Sequence, residues 1–273
     1  MKHNSQHRIF SILILILASL LAVSSSIGLF SKDFYVAETL NWQTQAIGQD
    51  MVDLFLVTPA LLLFAFLYIK GKNLSLSICA GTLLYIVYTF FIYAFAVHFN
   101  SLFIIYCLIL GLSFYSFCHI IWIAIPQIRT VAMLSAAMKY TAIYFLIVAI
   151  LFYILWLTQI IPPTLRNTVP QELHDIGLLT NPVHVIDLSV CLPGIFLAGI
   201  FILRKNPIGF FIAPAILTFM ILMDITIGFL AWLMKERGIA EEATMAYVML
   251  AFAMISIFLL VRISRTSFQS ETD

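Results

Sequence analysis

Two pairs of ionisable residues stand three positions apart in stretches otherwise built from hydrocarbon. Asp50 and Asp53 lie in "IGQDMVDLF", and His184 and Asp187 lie in "TNPVHVIDL". On a helix, a spacing of three puts both members of a pair on one face. A neutral imidazole beside a carboxylate can bind a cation, accept a proton or orient a ligand. His98 in "VHFNS" and Asp224 in "FMILMDITIGFL" add two more groups of the same chemistry. With Asn181, these form a candidate ligand-binding set: His184, Asp187, Asp53, Asp50, His98, Asn181 and Asp224. A metal version uses His184, Asp187, His98 and Asp53, a nitrogen and oxygen set suited to zinc or manganese. It rests on one HxxD, a pattern that is cheap by chance. No cofactor is required by the residues, and a divalent metal is the one they suggest.

Each of these residues also has an ordinary explanation. His184 and Asp187 can be a local cap and hydrogen-bond pair, Asp50 the N-cap of a helix, and His98 an interfacial residue at a tight turn. Tyr85, Tyr88 and Tyr93 read as packing or belt residues. Asp224 is hardest to dismiss, because it lies deep in an apolar run and needs a partner or water.

The elements that must carry these residues are membrane spans. Of 273 residues, 63% are hydrophobic and 10% charged, whereas soluble domains carry about 25% charged residues. A spanning helix needs about 20 mainly apolar residues. Eight segments qualify, at 9–30, 50–69, 74–98, 101–125, 140–161, 182–203, 207–233 and 244–262. The breaks are "KGKN", "HFNS", "PQIRT", "IIPPT", "RKNP" and "KERG". The fold expected is therefore all-α, a polytopic bundle of eight transmembrane helices forming one domain, 1–273, in the lipid bilayer. Residues 263–273 read as a disordered cytoplasmic tail, and no internal repeat is visible.

Orientation follows from lysine and arginine. With the N-terminus inside, Lys2, Arg8, Lys70, Lys72, Arg129, Lys139, Arg204, Lys205, Arg262 and Arg265 are cytoplasmic, and Lys32, Arg166, Lys235 and Arg237 are not. This imbalance places both termini in the cytoplasm of a cell-membrane protein. The first segment also resembles a secretory signal, whose cleavage would leave seven helices.

Residues 31–49 and 162–181 are then outer loops, the second holding a short surface helix in "VPQELHDIG", between a proline and a glycine. Residues 131–138 read as an interfacial stretch. Asn181 suits an N-cap and Pro182 a first helical residue, so the sixth span starts there. Pro59, Pro193 and Pro214 should bend their spans and leave room for a cavity.

Depth gathers the ionisable groups on one side. At about 1.5 Å per residue, Asp53 lies some 6 Å below the outer end of its span. By the same rise Asp187 lies about 8 Å and Asp224 about 14 Å below theirs. His98 sits at the end of its own span, with Tyr93, Asn100, Asn181 and Tyr247 as polar neighbours. His119 alone is deep in an inner half. An ionisable side chain near mid-span carries a penalty of about 2.5–3.5 kcal/mol, so the set predicts one polar recess open to the outside.

Several chemistries fall away. No lysine lies mid-span, so a retinal Schiff base has no amine, and HExxH, GxSxG and phosphate-binding glycine loops are absent. The net charge of +1 gives no basic surface for nucleic acid. Cys79, Cys107, Cys118 and Cys191 all fall in apolar runs without a CxxC and read as small buried hydrophobes. His98 and His184 lie too near the surface for haem.

The runs "YAFAVHFNSLFIIYCLILGLSFYSF" and "TNPVHVIDLSVCLPGIFLAGIFILRKNPIGF" resemble a set of bacterial multi-pass membrane proteins that share an NPVHxxD motif and to which no activity attaches. The similarity runs from about residue 34, and "NPVHVIDL" is its most distinctive part. It implies a multi-span fold and a matching role for Asn181, Pro182, His184 and Asp187. Three functions stay open: a protein that binds or transports a small solute or cation, a membrane-embedded metal-dependent hydrolase, and a structural or sensing subunit without catalysis. The first is favoured, and the balance leans away from an enzyme.

Overall fold

The computed structural model describes residues 2–71, 73–124 and 134–269, with side chains for 8–71, 74–124 and 134–265. Lys72, Arg129, the break at 126–130, residues 131–133 of the interfacial stretch and residues 270–273 of the tail lie outside the described residues; residues 136–138 of that stretch and 263–269 of the expected disordered tail are helix, because each continues the apolar helix beside it. Eight helices are long and apolar enough to cross a membrane, and no strand occurs among the described residues. In chain order they are α1 (Lys2–Phe30), α2 (Leu40–Ile69), α3 (Asn73–Ala96), α4 (Phe103–Ala124) and α5 (Ala136–Arg166). The short α6 (Gln171–Ile176) follows, then α7 (Pro182–Leu203), α8 (Pro207–Glu236) and α9 (Thr244–Gln269). The chain is a multi-pass helical bundle.

Local chemistry sets most of the ends. Asn181 accepts from the Val183 N–H and Pro182 fills the first helical position, as the sequence requires. Asn206 caps α8 in the same way. The surface helix α6 follows Pro170 and ends on Gly177 at φ 73°, a left-handed conformation that glycine adopts without penalty.

Two expectations about ends need correction. α2 begins at Leu40, with Thr39 as its N-cap, so "NWQTQAIGQD" is helix rather than loop and Asp50 is no N-cap. α5 runs through Pro162 and Pro163 to Arg166. The carbonyls those prolines leave without a donor lie in the last turns, where water can reach them.

The bends expected at Pro59 and Pro193 take a specific form. A π-helical turn, Asp53–Val57, precedes Pro59, and a second, Asp187–Cys191, precedes Pro193. In each, the aspartate carbonyl accepts from the N–H five residues on, at Thr58 and at Leu192. A wide turn of this kind accommodates a proline that has no N–H to give.

These turns expose a repeat that the sequence reading missed. Residues 53–59, "DLFLVTP", and 187–193, "DLSVCLP", share the pattern D-L-x-x-x-x-P, 134 positions apart. The same shift relates Ile69 to Leu203, where the bent helices end, and Asn73 to Pro207, where the next helices begin. It extends to packing. In the first half α1 packs on α2 and α4, α2 on α3, and α3 on α4; in the second, α5, α7, α8 and α9 repeat those four pairings in order. Across the halves, α2 packs on α8 and α7 on α3. The expectation of no internal repeat is thereby overturned. Only aspartate, leucine and proline survive in the shared heptad, too little to stand out in a chain this uniformly apolar.

Each half is a ring of four helices, and the two rings join through α3 and α8. Most buried in the bundle are the apolar windows of these two, at 61% against 22–39% for the other six. Gly81 makes their close approach possible, because a Cβ there would collide with the main-chain oxygen of Ala215. Residues 81 and 215 are themselves equivalent under the shift, so the helices meet at matching points. Spans three and seven of an alternating bundle run the same way, and the halves are thus related by an approximate two-fold axis along the bundle. Small residues let membrane helices approach closely where apolar burial no longer drives association. Elsewhere the inward stripes are ordinary, such as Phe10, Ile14, Leu17 and Leu21 of α1, while Ile9, Ile12, Leu15 and Ile16 face out.

Candidate functional site

The two aspartate corners occupy equivalent places and have different surroundings. In the first half, Asp50 is 1% exposed. Tyr35 donates to its Oδ2 at 2.6 Å, and the Tyr93 hydroxyl lies 3.1 Å from Oδ1 and 3.0 Å from the Ala46 carbonyl. Tyr35 lies outside the spans; burial and then the Asp50 carboxylate hold its hydroxyl well above the usual tyrosine range, so it remains a donor. Asp53, also 1% exposed, accepts from Gln49 at 3.0 Å. Gln49 also donates to the Tyr85 hydroxyl at 2.6 Å, 2.7 Å from Thr226 Oγ1, which itself donates to the Leu222 carbonyl. Since the threonine proton is taken, Tyr85 is the donor to Thr226. Oδ2 of Asp53 is left without a partner.

In the second half, Trp156 of α5 donates its indole N–H to Asp187 Oδ2 at 2.8 Å. Its ring lies 4.6 Å from the His184 ring, centroid to centroid. The Tyr88 hydroxyl of α3 also interacts with the Asp187 carboxylate. His184 Nε2 is buried without a partner. Asp224 of α8 is 7% exposed, and its Oδ2 likewise meets no donor.

Between the halves lies a cavity in two adjoining parts, about 260 Å³ and about 120 Å³. Both parts are bordered by Trp42, Gln45, Tyr88, Val183, Met223 and Ile227. The smaller part straddles the two-fold axis: Gln49 and Val183, Thr89 and Met223, Ile92 and Thr226, and Tyr93 and Ile227 all border it, each pair 134 residues apart. The larger part carries Asp187 and Asp224 and reaches the α6 end of the bundle at Glu172 and Asn181. Trp42 and Ile176, another equivalent pair, also border it and pack together, with the Trp42 indole donating to the Ala96 carbonyl at 2.9 Å.

The structure brings only part of the candidate set together. Asp187, Asp224 and Asn181 border one cavity. Asp50 and Asp53 sit behind its wall, where Gln49 takes their place. Because α2 starts ten residues earlier than expected, Asp53 lies about 20 Å along its helix rather than about 6 Å. His184 borders an adjoining groove of about 420 Å³ beside Gln159 and Ser189, which shares Glu172 and Asn181 with the larger part. His98 is turned to Glu38, with Nδ1 2.9 Å from Oε2 and its backbone N–H donating to Oε1.

Two of the expected neighbours stay local. Asn100 bonds within its own turn, and Tyr247 is 71% exposed. Among the described residues no three of histidine, cysteine, aspartate and glutamate gather to hold a metal ion, so His184, Asp187, His98 and Asp53 do not form the set that the metal version needs. The cysteines are free; Cys107 and Cys118 are exposed on the bundle, and only Cys79 is fully buried.

The residues that sequence reasoning missed are Trp42, Gln45, Gln49, Tyr88, Trp156 and Glu172. One signal was available: Asn41, Gln45, Gln49 and Asp53 recur every fourth residue, the mark of one helical face. They bond along that face, Gln45 to Asn41 and Gln49 to Asp53. Comparison of the chain with protein-family models, curated proteins and solved structures gives no match.

Proposed function

We propose that this protein binds a small solute in the cavity between its two four-helix halves and carries it across the cell membrane. The observation that supports this reading is the cavity's position, on the two-fold axis with walls built from equivalent residues. Transporters assembled from repeats hold their substrate at the repeat interface, near the middle of the bilayer, beside helices with interrupted hydrogen bonding. α2 and α7 are such helices, interrupted at the turns before Pro59 and Pro193. With both termini cytoplasmic by the positive-inside rule, the α6 end is the outer face and the cavity opens outward. Motion of one half against the other about the Gly81 crossing is the means of alternating access.

A cysteine at Ile227, which borders both parts of the cavity, tests this in a chain with its native cysteines replaced by serine. A small water-soluble methanethiosulfonate is applied to intact cells and to inside-out vesicles, with Met254→Cys on the exposed face of α9 as the reference. Faster labelling of Ile227→Cys than of the reference from both sides is the expected result. Labelling from the outside alone rules out passage and leaves binding; labelling from neither side rules out both.

A further inference from the structure

We infer that the solute is a small organic cation with an apolar body, held by Asp187 and Asp224 against an aromatic wall. This rests on the reading of the cavity as a solute site and adds its chemistry. Glu172, Asp187 and Asp224 border the cavity, and no lysine, arginine or histidine does. Asp224 is the decisive group, a carboxyl 7% exposed whose Oδ2 meets no donor in the protein. A carboxylate at this depth is retained when it faces a partner, and none of the described side chains supplies one. A positively charged ligand does. Asp187, by contrast, is already held by Trp156, which fixes its direction and leaves its charge uncompensated.

The rest of the wall selects among cations. Trp42, Tyr88, Phe152 and Trp156 offer ring surface, which attracts an alkylated ammonium through the ring quadrupole. A bare metal ion demands several oxygen or nitrogen ligands, and among the described residues no such cluster exists. Cavity volumes of about 260 Å³ and 120 Å³ sit at the small end of ligand pockets, roughly 300–1,000 Å³, and suit a body of one ring. Charge at the mouth agrees. At the α6 end, residues 31–39, 164–181 and 234–243 carry seven carboxylates and four basic side chains, a field that concentrates cations.

The test uses the full chain in nanodiscs, with phenyltrimethylammonium as the probe and tert-butylbenzene, the same shape with carbon in place of nitrogen, as its uncharged counterpart. Benzenesulfonate is the anionic control, and calorimetry is read against empty nanodiscs. Binding of the cation at least about tenfold tighter than the neutral isostere is expected. Asp224→Asn and Asp187→Asn should each reduce cation affinity about tenfold or more and leave the isostere unaffected. Ile227→Trp, which fills the cavity and keeps every carboxyl in the chain, should abolish both, and thermal unfolding of each variant checks that it is folded.

Equal binding of cation and isostere, or preference for benzenesulfonate, overturns the charge assignment. Should that binding still be lost in Ile227→Trp, the cavity remains a solute site of another class. If none of the three compounds binds, or if binding survives Ile227→Trp, the cavity reading fails with the inference.

Discussion

Asp53 and Asp187 open the same wide turn, six residues ahead of the same proline, in equivalent helices of the two halves. Their partners, however, come from opposite sources. Around Asp50 and Asp53 the protein supplies its own donors, Tyr35, Tyr93 and Gln49, and seals the group behind the cavity wall. Around Asp187 it supplies one indole and a tyrosine and leaves the carboxyl bordering open volume. One framework therefore serves two purposes. In the first half the carboxyls fasten α2 to α3 and to the loop before it, and in the second they are presented to the cavity.

The largest effect that can break this contrast is on stability. Asp50→Ala removes the acceptor from two buried tyrosine hydroxyls, one of which retains the Ala46 carbonyl. A buried group left unpaired costs about 1–3 kcal/mol, and Tyr35 is left so, which sets the expected loss at about 1–3 kcal/mol. Asp187→Ala should lose less than about 1 kcal/mol, because water in the cavity can reach the freed indole N–H. Tryptophan-monitored thermal unfolding in detergent measures both, and equal losses would erase the distinction between fastening and presenting carboxyls.

A double-mutant cycle sharpens the contrast at the next level. Tyr35→Phe combined with Asp50→Asn should give a coupling of about 1–2 kcal/mol, within the range for directly bonded residues. Trp156→Phe with Asp187→Asn should couple more weakly. The smallest effect concerns His98, paired with Glu38 and more than half exposed. An exposed pair is worth about 0–1 kcal/mol, so His98→Ala should shift stability by no more than that and leave phenyltrimethylammonium binding unchanged. A loss of binding would put His98 back in the site.

The number of spans was legible because eight apolar runs reach spanning length, and the start of α7 was legible because Asn181 and Pro182 are local signals. The start of α2 was not. Its first turns carry Asn41, Gln43, Gln45 and Gln49, which read as loop by polarity, and only the period of four through Asn41, Gln45 and Gln49 marks a helix whose polar face bonds to itself. Asp187 and Asp224 stood out by their position in apolar runs, since hydrocarbon penalises a carboxyl wherever it faces, and both border the cavity. What covers them was hidden. Trp156, Tyr88 and Trp42 look like any other aromatic of a membrane helix, and only packing decides that Trp156 spends its N–H on Asp187 instead of the bilayer interface. The pairing of Asp50 with tyrosines from two other elements is likewise a fact of tertiary structure.

The repeat has one further consequence. Had both flanks of the central chamber been alike, an occupant could lie in it in either of two poses related by the axis, with equal energy. All three acidic side chains, Glu172, Asp187 and Asp224, belong to the same flank, and the opposite flank answers with Trp42, Gln45 and Tyr88. A guest therefore has a head and a tail here, and only one way round to sit.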